Sequence, residues 1–265
     1  MTSYRYPGEE AVLAVTALVI LAVLLLTAGA TICIVPLVVL LFVVLAYQTN
    51  RAHHSQIIRS GHHIDQNTSP GLAALSAECA RRLDPGAYEL YVVPTRELNA
   101  YTFGISDPKV VVLYSGLLKV MDEAELRFVL GHELGHVGLN HAWLNTLLGG
   151  MSGVPQPFGI AILLTFAFRW WNRLCEFSAD RAGLLACGSL GKATSALVKL
   201  AMGGSGSPEQ MAQALALIDA QDDSPLNLLG ETLSTHPLAI KRINQLREYA
   251  ATAAYQKLAG KVGRG

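Results

Sequence analysis

Hydrophobic and polar positions divide the chain into two regimes. Residues 11 to 46, AVLAVTALVILAVLLLTAGATICIVPLVVLLFVVLA, carry no charge over 36 positions, whereas one bilayer-crossing helix needs only about 20 apolar residues. Gly29 within TAGAT, followed by Pro36, marks a turn near residues 27 to 32. That turn splits the run into transmembrane helices at 11–28 and 32–48, a membrane hairpin. A single long tilted helix is the competing reading. From residue 71 the period changes. GLAALSAECARRL (71–83) spaces its apolar residues as a helix, while AYELYVVPT (87–95), NAYTFG (99–104) and VVVLYSG (110–116) are β-branched and aromatic runs bounded by Gly, Pro and Asp. In MDEAELRFVLGHELGHVGLNHAWL the helical period returns. Asp122 and Glu125 are spaced as a capping box, and Phe128, Val129, Leu130, Leu134 and Val137 supply a buried face. WWNRLCEFSADRAGLLACG (170–188) reads as another helix, closed by Gly188. The pattern predicts a mainly α fold with a small β-sheet (α+β), with residues 1–50 as the hairpin and 51–265 as a second domain.

The connecting stretches are less regular. Residues 51–70 are polar and hold two His-His pairs without a carboxylate or thiol at ligand spacing, so they read as a solvated connector. Residues 142–171 are broken by glycines and prolines, and their continuous apolar part, Phe158 to Phe168, is 11 residues long. A run of that length suits a hydrophobic insert that packs over the domain or dips into a bilayer, with Trp170 and Trp171 near the interface. GGSGSPEQ (203–210) reads as a flexible connector.

Composition strengthens the membrane reading: 51% of residues are hydrophobic and 15% charged, against roughly 25% charged in ordinary soluble domains. Twenty basic residues balance twenty acidic ones with no dense Lys/Arg run, which excludes a nucleic-acid partner. The four cysteines, Cys33, Cys79, Cys175 and Cys187, are far apart and form no C-x-x-C pair, which excludes a disulfide framework. MTSYRYPGEE sets one arginine against two glutamates, so it lacks the basic start of a signal peptide and the apolar segment is expected to stay. Arg5 precedes the hairpin and Arg51 and Arg59 follow it; by the positive-inside rule both ends, and the domain after them, face the cytoplasm. Within 11–46 only Thr16, Thr27, Thr31 and Cys33 are polar or soft, too few for a transport site.

The chemistry begins at VLGHELGHVGLNH. Positions four apart share a helix face, so His132 and His136 can aim imidazole nitrogens at one metal while Glu133 borders the same site. This H-E-x-x-H pattern suits Zn²⁺ with a position left open for water; two histidines satisfied by hydrogen bonds would carry the same letters. Glu176 and Asp180 lie four apart on the later helix. There Glu176 could supply a third ligand and Asp180 could hold a ligand imidazole by its other N–H, or both could simply pair with Arg173 and Arg181.

The ordered set N-A-Y-x-x-G (Asn99 to Gly104), H-E-L-G-H (132–136), E-F-S-A-D (Glu176 to Asp180) and T-H-P-x-x-x-x-R-I (Thr235 to Ile243) resembles the HtpX-like and CAAX-prenyl-endopeptidase-like integral-membrane zinc metallopeptidases of family M48 over about residues 70–250. The resemblance implies a gluzincin fold, one Zn²⁺ per chain on His132, His136 and Glu176, Glu133 as general base, and Asp180 behind a ligand. It also implies polypeptide substrates, drawn from membrane or misfolded proteins as in protein quality control. His236 is the candidate oxyanion donor, with Arg242 close behind; alternatively His236 occupies the open zinc position at rest, or Thr235 to Pro237 merely begin the last helix. An extended substrate would add to a strand edge, for which KVVVLYSG, with Val111 and Val112, is the candidate, and Asn99, Tyr101 and Arg242 are further substrate contacts. Family members usually carry two more membrane helices between the metal-site helices, where this chain has the broken 142–171 stretch. The alternative is a non-catalytic membrane protein with structural zinc acting as a chaperone or partner-binding module; three ligands beside a free glutamate argue for catalysis. Prenylated-protein processing goes with a many-helix chamber that this chain is too short to build.

Overall fold

The computed structural model describes the backbone of residues 4–30, 34–143, 159–203 and 237–262, with some side chains inside the apolar helices left out. Two helices stand where the hairpin was expected, α1 (Glu9–Ala30) and α2 (Ile34–Ser60), and they touch one another. Among the described residues no helix is long and apolar enough to cross a membrane. Both helices nevertheless point large apolar side chains outward, Leu18, Leu25, Leu26 and Leu37 being 63–76% exposed. α2 runs well past residue 48, because nothing between Pro36 and Gly61 breaks a helix. Its last turns carry Ile57 onto one face of the sheet, and His54 meets the Phe103 ring edge-on at 4.3 Å. The first half of the expected polar connector, residues 51–60, is therefore helix.

The sheet has β1 (His62–His63), β2 (Tyr88–Val93), β3 (Ala100–Phe103) and β4 (Lys109–Tyr114) in the order β1-β2-β4-β3. β2 and β4 are parallel and the two outer pairings antiparallel. This corrects one expectation. β4 is an inner strand whose Val111 and Val112 are fully buried, as its uninterrupted apolar run permits, and the edge strand beside it is β3, with Tyr101 opposite Val112 and Thr102 opposite Val111.

Helix α3 (Pro70–Leu83) and the short α4 (Ser115–Val120) flank the sheet. The central helix is α5 (Glu123–Gly138), started by the reciprocal Asp122–Glu125 capping box that the spacing predicted. Residues 128 to 137 are buried throughout, because α5 is enclosed by α3, the sheet, α6 (Gly159–Cys187) and α7 (Leu190–Ala201). α8 (Pro237–Ala250) and α9 (Ala253–Val262) close the fold over α6 and α7. α6 is one 29-residue helix that includes the expected apolar stretch from Gly159 onward; no proline or turn signal separates that stretch from the Glu176 segment. Trp170 is exposed, but Trp171, expected at an interface, is buried against Val12 of α1. Residues 144–158 of the expected insert lie outside the described residues.

The crossing of α5 and α6 is set by small residues. A Cβ on Gly135 would stand 2.7 Å from that of Ala182, closer than any real carbon contact, so only glycine lets the two helices approach this far. The N-terminal segment also enters the core. Tyr4 and Glu9 are 6% and 1% exposed, and the Arg181 guanidinium lies between the rings of Tyr6 and Tyr249, at 4.7 and 4.4 Å. The boundary expected at residue 50 thus does not separate the N-terminal turns from the domain they pack into.

Candidate active site

α5 presents His132, Glu133 and His136, and the close crossing brings Glu176 and Asp180 of α6 opposite them. The Nε2 atoms of His132 and His136 are 3.2 Å apart, and carboxylate oxygens of Glu176 lie 3.6 and 3.5 Å from them. Zinc bonds of about 2.0–2.1 Å in tetrahedral geometry place ligand atoms about 3.3–3.4 Å apart, so this triangle has the size the ion needs.

Hydrogen bonding on the far side of each ring agrees. Asp180 Oδ1 is 3.0 Å from His132 Nδ1. An ionised carboxylate only accepts, so Nδ1 carries the proton and Nε2 is left as a lone pair. On the other ring, His136 Nδ1 is 3.0 Å from Nδ1 of His141, whose Nε2 is 3.0 Å from Glu9 Oε1. Glu9 accepts from His141 Nε2, His141 Nδ1 then accepts from His136 Nδ1, and His136 Nε2 is also a lone pair. Two lone pairs and a carboxylate converging on one point repel one another unless a cation lies between them. The donor set fits a single zinc ion.

Electrostatics hold these states. Burial opposes ionisation of Glu176, but the Arg242 guanidinium outweighs it and holds the carboxyl well below its ordinary range. Asp180 is likewise lowered against burial, chiefly by Arg242, whose Nε and Nη2 grip both Asp180 oxygens at 2.8 and 2.6 Å while Nη1 reaches Glu176 Oε2 at 3.1 Å. Burial pushes the His141 imidazole down to about 4, which keeps it neutral.

Glu133 is held from β3: Thr102 Oγ1 donates to Glu133 Oε2 at 2.7 Å. A cleft of about 330 Å³ opens over these groups, bounded by Asn99 to Thr102 on one side and by Phe128, Leu200 and Arg242 on the other. Asn99 and Tyr101 border it, but the Tyr101 ring packs with Phe103 and Tyr114 on the α2 side of the sheet. Val111 and Val112 lie one strand away from the cleft, and Arg242 is committed to two carboxylates. His236 falls outside the described residues.

Thr102, His141 and Glu9 escaped the sequence reading. Thr102 had a usable signal, since period-2 alternation from Tyr101 places it on the opposite face. His141 did not, because five residues is not a same-face helical spacing; it reaches His136 only because Asn140 adopts φ +59° and turns the chain back, with His141 N donating to His136 O at 2.9 Å.

Comparison with known proteins agrees with the geometry. Residues 70–250 match peptidase family M48. Over 217 residues the chain is 32% identical to the plastoglobule-localized metallopeptidase 48 of Arabidopsis thaliana, covering 76% of this chain and 63% of that protein. It is 27% identical over 224 residues to a protease HtpX homolog of Burkholderia cenocepacia, covering 73% of this chain and 79% of the relative, and 28% identical over 223 residues to that of Burkholderia multivorans. The chain thus spans less than two thirds of the Arabidopsis relative's length. With a match that encloses three of the four strands, the helices carrying His132, His136 and Glu176, and α8, this chain belongs to peptidase family M48, the metallopeptidases.

Proposed function

We propose that this chain is a membrane-anchored, zinc-dependent endopeptidase. The observation that carries the reading is the convergence of His132, His136 and Glu176 beside Glu133, on a cleft bordered by an edge strand. Zn²⁺ bound by these three residues would supply Lewis acidity, acidifying water and polarising the scissile carbonyl. Glu133, oriented by Thr102, takes the proton of the attacking water and delivers it to the leaving amine. Asp180 and Arg242 hold His132 and Glu176 in place. His236, just before α8, is our candidate donor to the developing oxyanion. β3 pairs only with β4 among the described strands, so its free edge can take an extended peptide by strand addition, which places Asn99 and Tyr101 beside the substrate backbone.

The outward leucines of α1 and α2 and the uncharged 36-residue run support a bilayer as their surroundings. The first turn of α1 and the last turns of α2 both pack on the peptidase fold, which supports a hairpin with both ends on one side; Arg5, Arg51 and Arg59 favour the cytoplasmic face. Substrates are then polypeptides that reach this surface, including misfolded segments of membrane proteins. The test uses detergent-purified full chain with an unfolded casein substrate. We expect one zinc per chain in wild type and Glu133→Gln, cleavage by wild type that a chelator abolishes, and a loss of about 10²–10⁴-fold in the variant. Zinc in both with cleavage by neither would turn the assignment to a non-catalytic zinc protein.

A further inference from the structure

The ring of His136 is held through a chain of contacts that begins at Glu9, more than a hundred residues earlier in the polypeptide. Glu9, in the first turn of α1, is 1% exposed, and its carboxylate is surrounded by donors: the His141 imidazole and Arg5 guanidinium at Oε1, and the Ser178 hydroxyl at Oε2. Ser178 in turn accepts from the Tyr6 backbone N–H at 2.7 Å, and Arg181 donates to the Arg5 carbonyl at 3.2 Å. The segment from Arg5 to Glu9 is thereby strapped to α6 beside Glu176. His141, 1% exposed, stands between Glu9 and His136, its ring edge-on to Trp171 at 6.0 Å. We propose that Glu9, acting through His141, is a positioning residue for His136, so that the first turn of the anchor helix is part of the metal centre; this rests on the peptidase reading above.

The physical reason is the tautomer. An imidazole donates a lone pair to a metal from one nitrogen only when its proton sits on the other, and that proton needs an acceptor. His132 has the Asp180 carboxylate. His136 has another histidine, which accepts through Nδ1 only while its own proton is taken at Nε2, and Glu9 is what takes it. Cys175 lies close enough to Glu9 and His141 for the three to resemble a second metal group. Arg5 and Ser178 already occupy both Glu9 oxygens, and a guanidinium beside the carboxylate opposes a cation there.

The test compares full-length wild type with Glu9→Ala, Glu9→Gln, His141→Ala, the Glu9→Ala/His141→Ala double variant and Val12→Ala, a neighbouring α1 packing change outside the relay. Zinc affinity is measured by competition with a fluorescent chelator, the ligand field by visible absorption of the cobalt(II)-substituted protein, and folding by far-ultraviolet circular dichroism. Glu9→Ala and His141→Ala are expected to weaken zinc about 10–100-fold and to shift the cobalt bands. The double variant should be no weaker than the worse single one, because the residues act in series. Glu9→Gln, which keeps an acceptor oxygen and the side-chain volume, should fold like wild type and bind zinc several-fold more weakly. Val12→Ala should stay within twofold. Folded variants with wild-type zinc affinity and cobalt spectrum would overturn the relay; so would multiplying effects in the double variant, or a Val12→Ala loss as large as that of Glu9→Ala. A second zinc per chain that disappears in Glu9→Ala would replace the relay with a metal site on Glu9, His141 and Cys175. None of these readouts uses substrate, so a wild type that binds one zinc and shows the expected losses but cleaves nothing would sink the peptidase reading and leave the relay standing.

Discussion

Replacing Gly135 by alanine should damage the metal site far more than the fold. The new Cβ would lie 2.7 Å from Ala182 Cβ and 3.3 Å from Ala179 Cα, against an optimum of about 3.5–4.0 Å for carbon contacts, so α5 and α6 must part by about 1 Å at that level. Overpacking of this kind costs about 1–3 kcal/mol, while alanine gains about 1 kcal/mol over glycine in a helix interior, leaving a net loss of about 0–2 kcal/mol. The ligands are less forgiving. Glu176 sits one turn before Ala179, and its oxygens are 3.5 and 3.6 Å from the two Nε2 atoms. A shift of about 1 Å is several times the roughly 0.2 Å tolerance of metal–ligand distances. Zinc affinity should therefore fall about 100-fold or more, equivalent to about 2.8 kcal/mol. Guanidinium unfolding of the metal-free protein measures the first quantity and chelator competition the second. Gly191→Ala in α7, where a new Cβ meets nothing within 4 Å, is the control and should be neutral or stabilising by about 0.5 kcal/mol. A Gly135→Ala protein that binds zinc within threefold of wild type would refute the claim that helix approach sets the ligand geometry.

Thr102→Val keeps the side-chain volume but removes the donor to Glu133, so kcat should fall about 10-fold, near the lower end of the roughly 1.5–3 kcal/mol that a charge-assisted hydrogen bond contributes, with KM unchanged; steady-state kinetics showing a KM effect alone would count against a role in holding the base. Asp180→Asn leaves His132 Nδ1 and Arg242 competing for one amide oxygen and should weaken zinc about 10–100-fold in the same chelator assay. Removing zinc should lower Tm, and one equivalent should restore it, since free ion at about 1,000 times Kd stabilises by about 4 kcal/mol; a scan unchanged by chelator would argue that the three ligands bind nothing.

Much of this site is legible in the sequence. The four-residue spacing of His132 and His136 implies one helix face, the Asp122–Glu125 pair marks the helix start, and Glu176 with Asp180 follows the same periodicity. Local rules suffice there because each relation lies within two turns of one helix. The sheet was half legible: its three main runs were apparent from composition, but pairing is a long-range choice, and an apolar run such as β4 reads alike whether it is central or at an edge. Burial on both faces made β4 central and left β3 at the cleft, so the edge strand there is the one holding Thr102 and not the one holding Val111 and Val112.

By itself the sequence determined the chemistry available, two imidazoles and two carboxylates at helical spacing, and the apolar run that begins the chain, because both follow from side-chain identity and periodicity. Only the tertiary structure decided how those groups are held. Glu9 and His141 are 132 residues apart, Arg242 and Asp180 are 62 apart, and no local pattern links either pair. They meet because α1 and α8 both pack against α6 and the turn at Asn140 carries His141 back beside α5, and each buried polar atom there takes whichever partner the packing brings within reach.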